Sequence, residues 1–113
     1  MLHFGIDIGT STVKLLILDQ KSVLWSWEEP HHEQPAATLC KGLAEMEKHI
    51  SEPKFAVGFT GIHAQFFHQR LPGSGFLEDI PAIVEGTKLL APDAKSIIEI
   101  GSQGSRFITR LDQ

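Results

Sequence analysis

Residues Phe4 to Lys14 read Phe-Gly-Ile-Asp-Ile-Gly-Thr-Ser-Thr-Val-Lys, and their two-residue period constrains the fold more than any other stretch. Leu2, Phe4, Ile6 and Ile8 fall on one face of an extended chain, and His3, Gly5, Asp7 and Gly9 on the other. The expected strand therefore has one apolar side and one nearly empty side that carries a single carboxylate. Gly9-Thr10-Ser11-Thr12 reads as a tight turn into a second strand, Val13 to Leu18. Glycine permits close backbone approach, and three consecutive hydroxyls beside turn N–H groups make a cradle for phosphate oxygens. Asp7, at the strand's end on the open side, is placed to hold a magnesium ion or its waters. An ordinary hairpin turn accounts for the same residues, so this stretch alone leaves both readings open.

The pattern recurs. Ile98-Glu99-Ile100-Gly101-Ser102-Gln103-Gly104-Ser105-Arg106-Phe107-Ile108 repeats the order apolar, acid, apolar, glycine, hydroxyl, turn, base, apolar run. Ile6 matches Ile98, Asp7 Glu99, Gly9 Gly101, Thr10 Ser102 and Lys14 Arg106 without a gap. Both copies close on Leu-Asp-Gln, at Leu18 to Gln20 and Leu111 to Gln113. Two such hairpins facing each other would bracket the phosphates of a nucleotide. A chance repeat of a strand-turn pattern leaves the shared acid and base positions unexplained.

With Val57-Gly58-Phe59-Thr60-Gly61 between them, these segments resemble the first half of the actin, Hsp70 and sugar-kinase ATPase fold. Within that superfamily the chain is most similar to the ATPase activators of 2-hydroxyacyl-CoA dehydratases, the BadF/BadG/BcrA/BcrD type. The resemblance rests on Gly5 to Lys14, Val57 to Gly61 and Pro92 to Ile108, in that order, and covers nearly the whole chain. It implies ATP or ADP with magnesium as ligand. Asp7 would serve the metal and the chemistry, Gly9, Thr10, Ser11 and Thr12 the phosphate cradle, and Lys14 electrostatic support. Gly61 would line the site, and Glu99, Gly101, Ser102 and Gln103 would meet it from the second hairpin. The activators read acid-Ile-Gly-Gly-Gln-Asp there, whereas this chain has Ser102 for a glycine and Gly104 for the aspartate.

The connecting segments read as one α/β domain spanning residues 1–113. Val13 to Leu18, apolar on nearly both faces, is the covered strand between its neighbours, and Val23, Trp25 and Trp27 alternate as a third strand. Glu29 to Gln34, with His31 and His32, reads as a solvated polar loop. Pro35 opens a helix whose Leu39, Leu43, Met46 and Ile50 share a face, with Cys40 as a small buried residue on it. Phe55, Val57 and Phe59 follow as a strand parallel to the first, because a helical crossover precedes it. His63 and His68 read as structural or solvated. Leu71 to Gly75 is a surface turn that lacks the Lys-Ser/Thr of a phosphate loop. Asp79 to Leu90 is an amphipathic helix, and Ser96 to Ile100 the last parallel strand before the final hairpin strand. The expected order is thus ribonuclease H-like: three antiparallel strands, helix, parallel strand, helix, parallel strand, hairpin strand.

Among 113 residues, 42% are apolar, enough for a modest core. A net charge of −4 gives no basic footprint for nucleic acid or an anionic membrane. No apolar run is long enough to span a bilayer and no leader is evident, so cytoplasm is the expected compartment. Cys40 is the single cysteine, which leaves no intrachain disulfide. The resemblance implies a second lobe beyond Gln113 and an iron–sulfur cluster held between two subunits of a homodimer by cysteines that this chain lacks. The chain is therefore expected to be the N-terminal domain of a longer protein. That protein would couple ATP hydrolysis to electron transfer to a 2-hydroxyacyl-CoA dehydratase. A sugar kinase of the same superfamily and a non-catalytic regulatory or assembly domain are the competing expectations. An aspartic protease dimer is disfavoured because Ile8 stands where a hydroxyl should hold the carboxylate.

Overall fold

The computed structural model describes residues 2–51, 54–101 and 104–111, and the chain divides into two compact units, Met1–Glu78 and Asp79–Gln113. The first unit holds β1 (Leu2–Ile8), β2 (Thr12–Asp19), β3 (Ser22–Pro30), α1 (Pro35–Glu47), β4 (Phe55–Thr60), α2 (Ala64–His68) and β5 (Gly75–Phe76). The second holds α3 (Asp79–Leu90), β6 (Ser96–Gly101) and β7 (Gly104–Thr109).

The alternation in β1 decides the first unit. Phe4, Ile6 and Ile8 are buried, while Gly5 and Asp7 on the opposite face are half-buried. β2 lies antiparallel to β1 and supplies Val13, Leu15 and Ile17 to the same core, so that Ile8, Val13, Leu15 and Ile17 are the largest fully enclosed side chains among the described residues. Each such side chain contributes roughly 1.5–3 kcal/mol by leaving water. β3 continues the antiparallel run and turns Trp25 and Trp27 toward the cluster. β4 then pairs parallel to β1, from Leu2 opposite Phe55 to Asp7 opposite Thr60, which completes the sheet order β3-β2-β1-β4-β5.

A parallel neighbour requires a crossover, and α1 supplies it. Pro35 occupies its first turn, and the Thr38 N–H and hydroxyl both donate to the Gln34 carbonyl at 3.1 and 3.0 Å. The helix buries Thr38, Leu39 and Gly42. Cys40 is exposed rather than buried, because the helix turns Leu39 inward and the next residue falls outside the contact face.

The segment after β4 departs from expectation. Its parallel neighbour is the two-residue β5, with Gly58 opposite Gly75 and Phe59 opposite Phe76, and Leu77 N–H donates to Phe59 O at 3.0 Å. The short helix α2 precedes it. Two residues are too few to show an alternation, which is why the sequence signals only a turn here. His68 Nδ1 lies 2.8 Å from the Ser74 hydroxyl, and its ring stacks on Phe76.

In the second unit, β6 and β7 form their own antiparallel pair, and among the described residues β6 has no parallel partner. Arg106 on β7 links all three elements of the unit by surface ion pairs to Asp79 (2.7 Å), which opens α3, and to Glu99 (3.0 Å) on β6.

Two outcomes follow from this packing. A Cβ at Gly42 would stand 2.5 Å from Trp27 Cζ3 and 2.6 Å from Leu15 Cδ1. Overpacking of about 1–3 kcal/mol outweighs the roughly 1 kcal/mol gained in helix propensity. Gly42→Ala is therefore expected to lower the urea-unfolding free energy by about 1 kcal/mol. In the second unit, hydrogen bonding from Arg106, then its charge, holds the Asp79 carboxyl below its ordinary value, although desolvation opposes them. A carboxyl with a depressed folded value contributes stability above its unfolded value, about pH 4, and loses it as pH falls through the folded one. Melting curves of Asp79→Asn and the parent should differ at neutral pH and converge in acid.

Candidate functional site

The site is built where β1, β2 and β4 end together. Asp7 closes the open face of β1, with Lys14 of β2 as its antiparallel partner on one side and Thr60 of β4 as its parallel partner on the other. Paired residues on adjacent strands share a face, so carboxylate, ammonium and hydroxyl stand in one row. Glu28 of β3 continues the row beyond Lys14, which therefore lies between two acids. The Thr60 hydroxyl oxygen is buried and has no hydrogen-bond partner. A buried polar atom left so costs roughly 1–3 kcal/mol, and a bound ligand or hydrated ion would recover it.

Beyond Ile8 the chain turns through Gly9, Thr10 and Ser11, and the Gly9 N–H closes the turn on Thr12 O at 3.0 Å. Gly9 is half-buried, Thr10 and Ser11 are exposed, and Thr12 begins β2. The Ser11 and Thr12 hydroxyls are 3.4 Å apart.

Gly61, the residue after β4, packs onto the end of β1. It adopts φ +104°, and a Cβ there would collide with the Ile8 carbonyl and stand 2.7 Å from Asp7 Oδ1. Only glycine fits both the torsion and the space. His63 N–H then donates to Ile8 O at 3.1 Å, which fixes the loop after β4 against the end of β1.

His31 is the residue that the sequence reading misplaced. It is not solvated but 4% exposed, and its Nε2 lies 2.9 Å from Gly9 O. Its backbone N–H donates to Ser11 O at 2.9 Å, and the Glu33 N–H donates to Nδ1 at 3.1 Å. Because Nδ1 accepts, the proton of the neutral ring sits on Nε2, which donates to Gly9. The ring edge meets His63, with centroids 5.8 Å apart. A signal was present: extending β3 to Pro30, opposite Thr12, puts the next residue beside Ser11.

Asp7, Gly9, Thr10, Ser11, Thr12, Lys14 and Gly61 are thus gathered at one end of the five-stranded sheet. Glu99 and Gly101 lie in the second unit, on β6, where Glu99 and Arg106 stand opposite each other as Asp7 and Lys14 do in the first hairpin. Ser102 and Gln103 lie outside the described residues. A hydrated magnesium ion suits the first set, since Asp7 offers hard oxygen and Thr60 an unpartnered hydroxyl. Among the described residues no three His, Cys, Asp or Glu side chains could hold a metal, so waters and ligand oxygens would complete its shell.

This sheet, with its antiparallel start, helical crossover and glycine turn at the strand ends, matches in fold solved structures of actin/Hsp70/sugar-kinase-like ATPases. No protein-family model matches the sequence, and no curated protein sequence matches it. Solved structures do. Component A of (R)-2-hydroxyglutaryl-CoA dehydratase from Acidaminococcus fermentans superposes with a TM-score of 0.79 at 18% identity, over 96% of this chain and 42% of that one. The activator of 2-hydroxyisocaproyl-CoA dehydratase from Clostridium difficile, with bound ADPNP, gives 0.75 at 18% identity over 96% and 41%. A ROK family protein from Streptococcus pneumoniae in complex with sucrose gives 0.58 at 16% identity over 97% and 46%. The chain therefore spans about two fifths of the length of the activators it resembles. At these identities the likeness establishes the fold. No described helix is long and apolar enough to cross a membrane.

Gly61→Ala tests the site's construction. Strained torsion and backbone collision together should cost at least about 2 kcal/mol in urea unfolding. The amide resonances of Ile8 and Gly9 should shift more than those of β3.

Proposed function

We propose that this chain is the N-terminal phosphate-binding domain of an ATP-dependent activator that drives electron transfer to a 2-hydroxyacyl-CoA dehydratase. The observation that carries the nucleotide reading is Asp7 beside the unpartnered Thr60 hydroxyl, at the edge of a glycine turn lined by Thr10, Ser11 and Thr12. In that reading Asp7 holds magnesium through its waters, the turn amides and hydroxyls receive phosphate oxygens, and Lys14 offsets their charge. Gly61 lets the loop after β4 approach. The higher structural likeness to the two activators than to the ROK protein favours the activator role over sugar phosphorylation. In that reading the second lobe and any iron–sulfur cluster lie outside this chain, in a cytoplasmic protein.

The test uses a protein that joins this chain to its downstream sequence. Saturating ATP with magnesium should raise its melting temperature, since ligand at one hundred times Kd adds about 2.7 kcal/mol. Asp7→Asn should abolish most of that rise, while the 113-residue chain alone should show little. No rise in the longer protein would overturn the nucleotide reading. Phosphorylation of an amino sugar or similar metabolite, without an iron–sulfur absorption band after anaerobic reconstitution, would replace the activator reading by the kinase one.

A further inference from the structure

We infer that His31 is a positioning residue for the phosphate turn: it holds the carbonyls of Gly9 and Ser11 and thereby presets the amides of Thr10 and Thr12. The inference rests on the nucleotide reading above and adds to it a residue from a different strand. One side chain and its own backbone make two separate bonds to the four-residue turn, Nε2–H to Gly9 O at 2.9 Å and N–H to Ser11 O at 2.9 Å. A trans peptide sets its N–H opposite its C=O. With the Gly9 carbonyl fixed on His31, the Thr10 N–H points the other way, and the same holds for Ser11 and Thr12. Donors fixed before the ligand arrives need no reorganisation when they receive an anion.

The surroundings are built to keep the ring in place. His31 is buried, and Glu33 N–H on Nδ1 selects the tautomer that donates from Nε2. The backbone that brings Glu33 there is strained: His32 and Glu33 adopt φ +47° and +65°, a region that non-glycine residues enter at a cost. Gln34 N–H closes the loop on His31 O at 2.7 Å. The two torsions and this bond together form a tight turn that carries the Glu33 N–H back to the ring.

Glutamine and asparagine separate the two ring functions. A Gln side-chain amide reaches about as far as Nε2 and can still donate to Gly9, whereas an Asn oxygen replaces Nδ1 as acceptor for Glu33. In the longer protein, His31→Asn should weaken binding of ATP with magnesium about tenfold, the scale of one lost hydrogen bond. His31→Gln should stay within about twofold of the parent. In the 113-residue chain, Thr10 and Thr12 amide resonances should move in His31→Asn and remain near parental positions in His31→Gln. The parental His31 ring should give the nitrogen shifts of a neutral Nε2–H tautomer. Equal effects of the two substitutions on affinity and on those amides would reduce His31 to a packing residue and overturn the inference. If the parent binds no nucleotide, the phosphate reading fails, and the inference that rests on it is overturned even where the amide shifts separate the two variants.

Discussion

Everything in the first unit depends on the one-sidedness of β1. Burying Phe4, Ile6 and Ile8 together with Val13, Leu15 and Ile17 commits one face of the strand to the core. The pleat then delivers Gly5 and Asp7 to the other face without further instruction. Adding β4 in parallel register, which α1 makes possible, sets Thr60 and Gly61 beside Asp7 and Ile8. The site is thus a consequence of where three strands stop, and its chemistry belongs to residues that contribute little to the core.

The two hairpins repeat a single arrangement under different local conditions. In both, an acid on the first strand faces a base on the second across the same number of residues. In the first, Lys14 has acids as register neighbours on both sides and is exposed. In the second, Arg106 bonds both Glu99 and the opening residue of α3, and this planar, forked cation ties three elements together. A lysine at that position would offer a point charge, not two directed bonds, so the difference between the two bases matches the difference in their work.

The likeness to the dehydratase activators illustrates how little identity a fold needs. At 18% identity the superposition still covers 96% of this chain. In this chain the alternation in β1, the glycines at its strand ends and the α1 crossover each answer to a geometric requirement.

The sequence by itself determined the strands and long helices, the antiparallel start, the crossover and the gathering of Asp7 with the Gly9 turn. Those features follow from periodicities of two and of 3.6 and from glycine and proline at their ends, all local properties. Tertiary structure alone decided the rest. Two residues, Gly75 and Phe76, carry no period, and only the free edge of β4 makes them a strand. Cys40 turns outward because its helix is rotated by what Leu39 and Gly42 must touch. His31 looks like any polar residue in a loop until Thr12 is seen opposite Pro30, because a hydrogen bond between residues 22 positions apart exists only once three strands have paired.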